Sequence, residues 1–380
     1  MSDAVVLVCD SDRSVRYGPV AYTDLSAEIT FNGVGSGQFA APADPGLLDA
    51  LSPGATVSVA RDGVWWSGGP VEGPGDMDWS PGEGVGLVTV RWATWESLVA
   101  PRLVYPQPGV AADSQTATAW TATAANAETV MRNLVNLNAG PGALAARRVP
   151  GLLLGALASV GGNVTVSSRF EALLDVLRRV ASAGGGLGFR VVQDSSDLLF
   201  EVYETADRSS SVRFSRSLRN LERLTLRPES PRSTVAIVGG EGSGGTRTIV
   251  ERQNTAALSE GWLRSEEWVS HSGTGATSAE LAEVGDAALV EHGPSTGMSC
   301  VAVDGPHARF GVDFAVGDLV SVEVGPGAGV VDVVSSASLT STADAGTRVV
   351  VGVGDRKRST VRQLLMLREL ERRIALLERT

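Results

Sequence analysis

Residues 168–245 change period twice, and that change limits what the chain can become. Ser168 and Glu171 have the spacing of a capping box, in which each side chain satisfies a backbone N–H at a helix start. Phe170, Leu173, Leu174, Leu177 and Val180 follow at helical spacing and give one apolar face. Gly184 is placed to end the helix, because glycine accepts the left-handed conformation that a C-cap needs. The period then falls to two. Phe189 and Val191, a polar Asp-Ser-Ser-Asp turn, and Leu198, Phe200 and Val202 read as a hairpin. Residues 235–238 add an apolar strand that runs into glycines.

The rest of the chain is turn-rich. Gly 45 and 5% aromatic residues favour a β-rich protein over a helical bundle. Before residue 106, Leu25, Ala27, Ile29 and Phe31 alternate with polar residues and stop at Asn32-Gly33, a strong turn signal. Val57 and Val59 face Val64, Trp65 and Trp66 across Asp62-Gly63, the pairing a type I′ hairpin prefers. Short strands at this spacing point to a barrel or sandwich. Residues 106–125 read as a linker or surface loop. Asn126 is placed to cap a short helix carrying Val130, Met131, Leu134 and Leu137. After residue 214 the β pattern returns, interrupted by a second capping box at Thr277 and Glu280 and stopped by Gly293-Pro294. An echo links the two β regions: Leu51, Gly54, Val57 and Val59 align with Phe314, Gly317, Val320 and Val322.

The expected fold class is α+β, mainly β. Its expected parts are two hub-type β-barrel domains (1–108 and 207–355), a linker and small α+β domain (109–206), and a C-terminal coiled-coil helix (356–380). In that last segment Leu367, Leu370, Ile374 and Leu377 step by three, four and three, an a/d seam. Arg373 and Glu378 fall at g and the following e, where they can pair between parallel chains. These six residues are the expected oligomer interface.

Chemistry is hard to find. His271, His292 and His307 have no second His or Cys at metal-ligand spacing, so no zinc site is expected. No Gly-x-Ser-x-Gly elbow is present. Residues 239–246 are glycine-rich but lack the lysine and following helix of a phosphate loop, so they read as a hairpin loop. Asp10 and Asp12 lack the partners of a calcium loop. No catalytic residue, metal or cofactor is expected. Cys9 and Cys300 are too few and too far apart for a disulfide framework. No charged segment precedes an apolar core, so no signal peptide is expected, and no apolar run is long enough for a membrane span. The formal net charge of -11 argues against tight nucleic-acid binding.

The order of parts resembles the minor tail proteins of actinobacterial siphophages, in the family that is similar to the baseplate hub of contractile-tailed phages. Four stretches carry the resemblance. The first is Phe31-Asn32-Gly33 with Gly37-x-Phe39. The second is the helix and hairpin of residues 170–204, with Gly188-Phe189-Arg190-Val191-Val192. The third is Phe214-Ser215 with Leu218-x-Asn220-Leu221, then Val238-Gly239-Gly240-x-Gly242. The fourth is residues 310–320, with Phe314, Gly317, Asp318 and Val320. The resemblance implies a structural protein of the virion tail tip, made in the host cytoplasm. It implies a homotrimeric hub that adapts a sixfold tail tube to a threefold tip and lines the DNA exit channel without holding DNA specifically. The distal tail protein and other tail-tip proteins are the expected partners. Competing classes are a cell-wall-degrading enzyme and a glycan-binding receptor module. With only a short helix after the second β region, an appended catalytic domain is not expected. Trp65-Trp66 is the place to look for sugar stacking, although packing is the commoner use of large aromatics.

Overall fold

The computed structural model describes residues 4–73, 76–78, 86–242, 244–271, 277–293, 295–303, 305, 308–325, 328–342 and 346–354. The N-terminal strands are β1 (Ala4–Cys9), β2 (Val15–Tyr17), β3 (Asp24–Thr30), β4 (Ser36–Pro42), β5 (Thr56–Arg61), β6 (Val64–Pro70), β7 (Asp76–Asp78) and β8 (Leu87–Ala93), with helix α1 (Pro45–Ala50) after β4. Then come β9 (Trp120–Asn126), α2 (Ala127–Asn138), β10 (Leu152–Leu154), β11 (Asn163–Ser168), α3 (Leu173–Ala183), β12 (Gly188–Asp194) and β13 (Asp197–Tyr203). The remainder is β14 (Arg213–Phe214), β15 (Leu221–Glu229), β16 (Val235–Gly239), β17 (Ile249–Gln253), α4 (Thr255–Ser259), β18 (Glu266–Ser270), α5 (Ser278–His292), β19 (Ser295–Val303), β20 (Leu319–Gly325), β21 (Ala328–Thr342) and β22 (Gly346–Val353). The chain divides into two compact units, one holding residues 4–223 and 300–354 and the other residues 224–299.

One strand order is used twice along the chain. In the first half, β3, β4 and β8 are hydrogen-bonded neighbours. A bridge between Val71 and Trp92 joins the end of β6 to β8, and β5 pairs with β6. In the second half the order is β15, β19, β22, β21, β20. Each half therefore runs first, second, fifth, fourth, third along its strands. The echo in the sequence marks the same turn in both. Ala55 N donates to Ser52 O and Asp318 N donates to Ala315 O, at 3.0 and 3.2 Å. Gly54 and Gly317 both take positive φ, +89° and +96°, which only glycine adopts without strain. Leu51 and Phe314 are buried before the turn, and Val57, Val59, Val320 and Val322 after it.

Two closed barrels were expected; among the described residues no sheet closes on itself. The reason lies at β3. Its free edge pairs with β21 from Asp24↔Thr342 to Thr30↔Ser336, so it has no edge left to close on its own half. Strands β3, β4, β7 and β8 of the first half thus join the second half in a single sheet of ten strands among the described residues, with β20 and β14 branching from β21, while β5 and β6 pair in a sheet with β1 and β2. The packing of the ten-stranded sheet is tight: a Cβ on Gly37 would sit 2.0 Å from the indole of the fully buried Trp92.

Residues 120–203 form the α+β part. Helices α2 and α3 bury Val130, Met131, Leu134, Leu173, Leu177 and Val180 with Phe189 and Phe200 of the sheet β10-β13-β12. Asn126 caps α2 as expected, its Oδ1 accepting from Thr129 N at 3.1 Å. The capping box at Ser168 and Glu171 is not formed. Ser168 is the last residue of β11, Phe170 sits at φ +54° and packs on Tyr105, and α3 starts only at Leu173. Pairing with β9 and the bond from Phe170 N to Val104 O hold this backbone out of the helix.

The smaller unit takes in most of β15 and β19 and the connection between them, which in the first half is the short turn at Asn32-Gly33. Strands β17-β16-β18 carry α5 on one face, where Ala236, Val238, Leu281 and Leu289 are buried. Thr277 and Glu280 form the expected capping box, with Thr277 N donating to Glu280 Oε2 at 2.7 Å.

Candidate functional site

The six expected interface residues, Leu367, Leu370, Arg373, Ile374, Leu377 and Glu378, lie outside the described residues, as does His307. The other chemistry-bearing groups are absorbed by the fold. His292 ends α5 and its Nδ1 lies 2.5 Å from Glu267 Oε2, which also accepts from Ser233 Oγ at 3.0 Å. The carboxylate here sits between Ser and His, so the imidazole is not placed to activate the hydroxyl. Glu267 is held below the usual carboxylate range by its bonds to His292 and Ser233, against the opposing effect of burial. Among the described residues no three His, Cys, Asp or Glu side chains gather as metal ligands. Asp10 pairs with Arg16 at 2.8 Å, and Asp12 accepts from Ser14 N at 2.9 Å.

Cys9 and Cys300 are free and buried. Burial raises both thiols, Cys300 to about 12, so neither is an activated nucleophile. The glycine-rich loop joins β16 to β17. Arg247 fills it, donating from Nε to Gly240 O at 2.8 Å and from a terminal nitrogen to Gly239 O at 3.2 Å. Carbonyls rather than N–H groups turn inward at this point, the wrong polarity for a phosphate.

The two adjacent tryptophans separate. Asp62 and Gly63 take positive φ, as a type I′ hairpin requires, and Trp65 is 42% exposed beside an exposed Val64. Trp66 faces the other way. Its Nε1 donates to Ala27 O at 3.0 Å, and its ring lies 5.1 Å from Phe310. Phe310 meets Phe314 at 5.5 Å, and Phe314 meets Phe214 at 5.5 Å. This aromatic row ties the first hairpin to the segments that carry the third and fourth sequence motifs.

Two polar devices were not visible in the sequence. The first closes the edge of the sheet at β12. Phe189 N donates to Asn32 Oδ1 at 2.8 Å, and Val191 N donates to Glu96 Oε1 at 2.9 Å. Burial pushes the Glu96 carboxyl up, partly offset by bonds from Thr94 and Val191. The second device explains the motif Phe214-Ser215…Asn220-Leu221. Ser215 N donates to Asn220 Oδ1 at 2.9 Å, Asn220 Nδ2 donates to Arg213 O at 2.9 Å, and Leu218 N donates to Ser215 Oγ at 3.2 Å. Ser215 and Asn220 are buried, so the loop is locked from within.

The fold defines a class. A tail protein from Neisseria meningitidis MC58 matches with a TM-score of 0.57 at 14% identity, over 93% of this chain and 97% of that one. The 43 kDa tail protein of prophage MuSo2 from Shewanella oneidensis matches with 0.57 at 14% identity, over 93% and 98%. The prophage tail protein gp18 from Listeria monocytogenes EGD-e matches with 0.51 at 11% identity, over 97% and 99%. The fold is therefore that of phage tail proteins. Residues 5–355 also match the family model described as siphovirus ReqiPepy6 Gp37-like protein, and the chain belongs to that family. No curated protein matches it.

Proposed function

We propose that this chain is a non-enzymatic structural component of the virion tail tip, a trimeric hub between a sixfold tail tube and a threefold tip. The observation that supports this most is the strand order used twice along the chain, once through the Val71–Trp92 bridge and once within a single sheet. A subunit with two equivalent halves presents six similar surfaces when three copies form a ring. On this reading residues 1–108 and 207–355 are the ring-forming halves, 109–206 decorate the ring, and 356–380 form a three-stranded coiled coil on the axis. The partners are the distal tail protein and other tail-tip proteins, and DNA passes through the lumen without a specific site. A predominantly acidic inner wall, consistent with the formal net charge of -11, would keep the channel from holding phosphates.

The test is the native mass of the chain with and without residues 356–380. A trimer that weakens on truncation supports the hub and gives the helix its role. Ile374→Asp places a charge in each layer of the seam and is expected to cost several kcal/mol per trimer, about the usual penalty for a buried unpaired charge. A chain that stays monomeric when mixed with the neighbouring tail proteins refutes the trimeric hub.

A further inference from the structure

The loop locked by Ser215 and Asn220 presents charge that the fold itself does not use. Arg216, Ser217, Leu218 and Arg219 are all exposed, and Arg219 is held at φ +55°. At the other end of β14, Ser211 N and Val212 N both donate to Arg208 O, at 2.9 and 2.7 Å, and this turn exposes Arg208. Among the described residues no carboxylate pairs with Arg208, Arg216 or Arg219. The neighbouring charges are already engaged. Arg213 pairs with Glu323 at 3.6 Å, and Asp207 Oδ1 accepts from Ser209 N at 2.9 Å. Residues 207–219 thus hold four arginines against one aspartate, in a chain whose formal net charge is -11.

We propose that this basic loop is a docking surface for a second copy of the same chain. Charge selects that occupant: the loop is positive, and a second copy carries the excess of carboxylates that it lacks. Exposed Leu218 between the two arginines favours a protein over a phosphate backbone, which offers nothing apolar to cover it. The internal bonds of Ser215 and Asn220 fix the loop before contact, so little conformational entropy is lost on docking. In a closed ring each interface is heterologous, and a basic loop on one copy meets a different, acidic surface on the next. The inference rests on the ring-forming reading above and adds to it the surface through which neighbours meet.

The experiment is sedimentation of the full chain in low salt and in about 0.5 M salt, where exposed charges are screened. The double substitution Arg216→Glu and Arg219→Glu is expected to weaken self-association by about tenfold or more, and high salt should weaken the parent in the same direction. Leu218→Ser should weaken association without changing its salt dependence. Both arginines are exposed, so the thermal melt of the double variant should match the parent. A trimer indifferent to the arginine substitutions overturns the loop assignment and leaves the trimeric hub standing. A parent chain that stays monomeric in low salt at about 100 µM, both alone and mixed with the neighbouring tail proteins, removes both. Binding of a labelled 20-base-pair duplex that the double variant loses would reassign the loop to nucleic acid.

Discussion

Asn32 is the residue whose removal tests the architecture most directly. It sits in the turn between β3 and β4, yet its side chain serves another sheet. Its Oδ1 accepts from Phe189 N at 2.8 Å and its Nδ2 donates to Leu187 O at 2.8 Å. Arg178 Nε donates to its backbone carbonyl at 2.7 Å. Leu187 and Phe189 are both 2% exposed, so water does not readily replace the lost partners. Asn32→Ala leaves one buried donor and one buried acceptor unsatisfied, at about 1–3 kcal/mol each. The residue also sits at φ +48°, where alanine costs about 1 kcal/mol more than asparagine. The expected loss of stability is about 3–7 kcal/mol in total. Asn32→Gly restores the backbone freedom and should lose about 1 kcal/mol less than alanine does. Denaturant unfolding followed through Trp95, which is buried in the same core as Phe189, reads the loss. Hydrogen exchange at the Phe189 amide reads it locally. An Asn32→Ala variant within about 0.5 kcal/mol of the parent, with Phe189 still protected, would refute the edge-closing role.

Glu96→Gln tests the companion bond by pH. Burial raises the folded-state pKa of Glu96, so its contribution is fully present below the ordinary carboxylate value and is lost as pH rises through the raised one. The glutamine variant should therefore gain melting temperature relative to the parent as pH rises above the ordinary carboxylate range, and a pH-independent difference would contradict this. Gly37→Ala drives a methyl into the Trp92 indole and should cost about 1–3 kcal/mol, checked by urea unfolding. Thr277→Ala removes the capping box of α5 and should cost about 1 kcal/mol, read as faster hydrogen exchange in the first turn of α5. Cys300, raised to about 12 and buried, should resist iodoacetamide at pH 8 until the chain unfolds; rapid alkylation of the native protein would show that the thiol is reachable in the folded chain.

What could be read in the sequence followed from local physics. The Asp62-Gly63 hairpin, the Asn126 cap, the Thr277 box and the turns at Gly54 and Gly317 each depend on a few consecutive residues. The failures came where a distant segment competed for the same backbone. Ser168 and Glu171 have capping-box spacing, but β9 pairs with Ser168 and Val104 O takes the N–H of Phe170. Strand β3 alternates as a barrel strand should, but β21 occupies its edge. Asn32 reads as a turn residue, which it is; nothing near it in sequence reveals that its amide reaches Leu187 and Phe189. The smaller unit was hidden for a different reason. Its strands β16, β17 and β18 look like any others, and only pairing shows that they leave the main sheet.

The two halves differ most at one equivalent place, the connection between their first and second strands. In the first half this is the turn whose Asn32 side chain closes the edge at β12. In the second half the same connection is residues 230–294, with its own sheet and helix. A turn at this position leaves the strand pairs on either side intact, because the hydrogen bonds of β3 with β4 start only at Glu28↔Ser36. Additions there cost the shared sheet nothing, whereas a change at the turn before the third strand would move Gly54 or Gly317 and the buried valines behind it. The conserved geometry of one turn and the divergence of the other are what a twice-used fold should show when one site is structural and the other is free to acquire new contacts. Replacing residues 230–294 by a short Asn-Gly turn is therefore expected to leave a folded larger unit. Loss of its cooperative melt would show that the smaller unit had become part of what holds the sheet together.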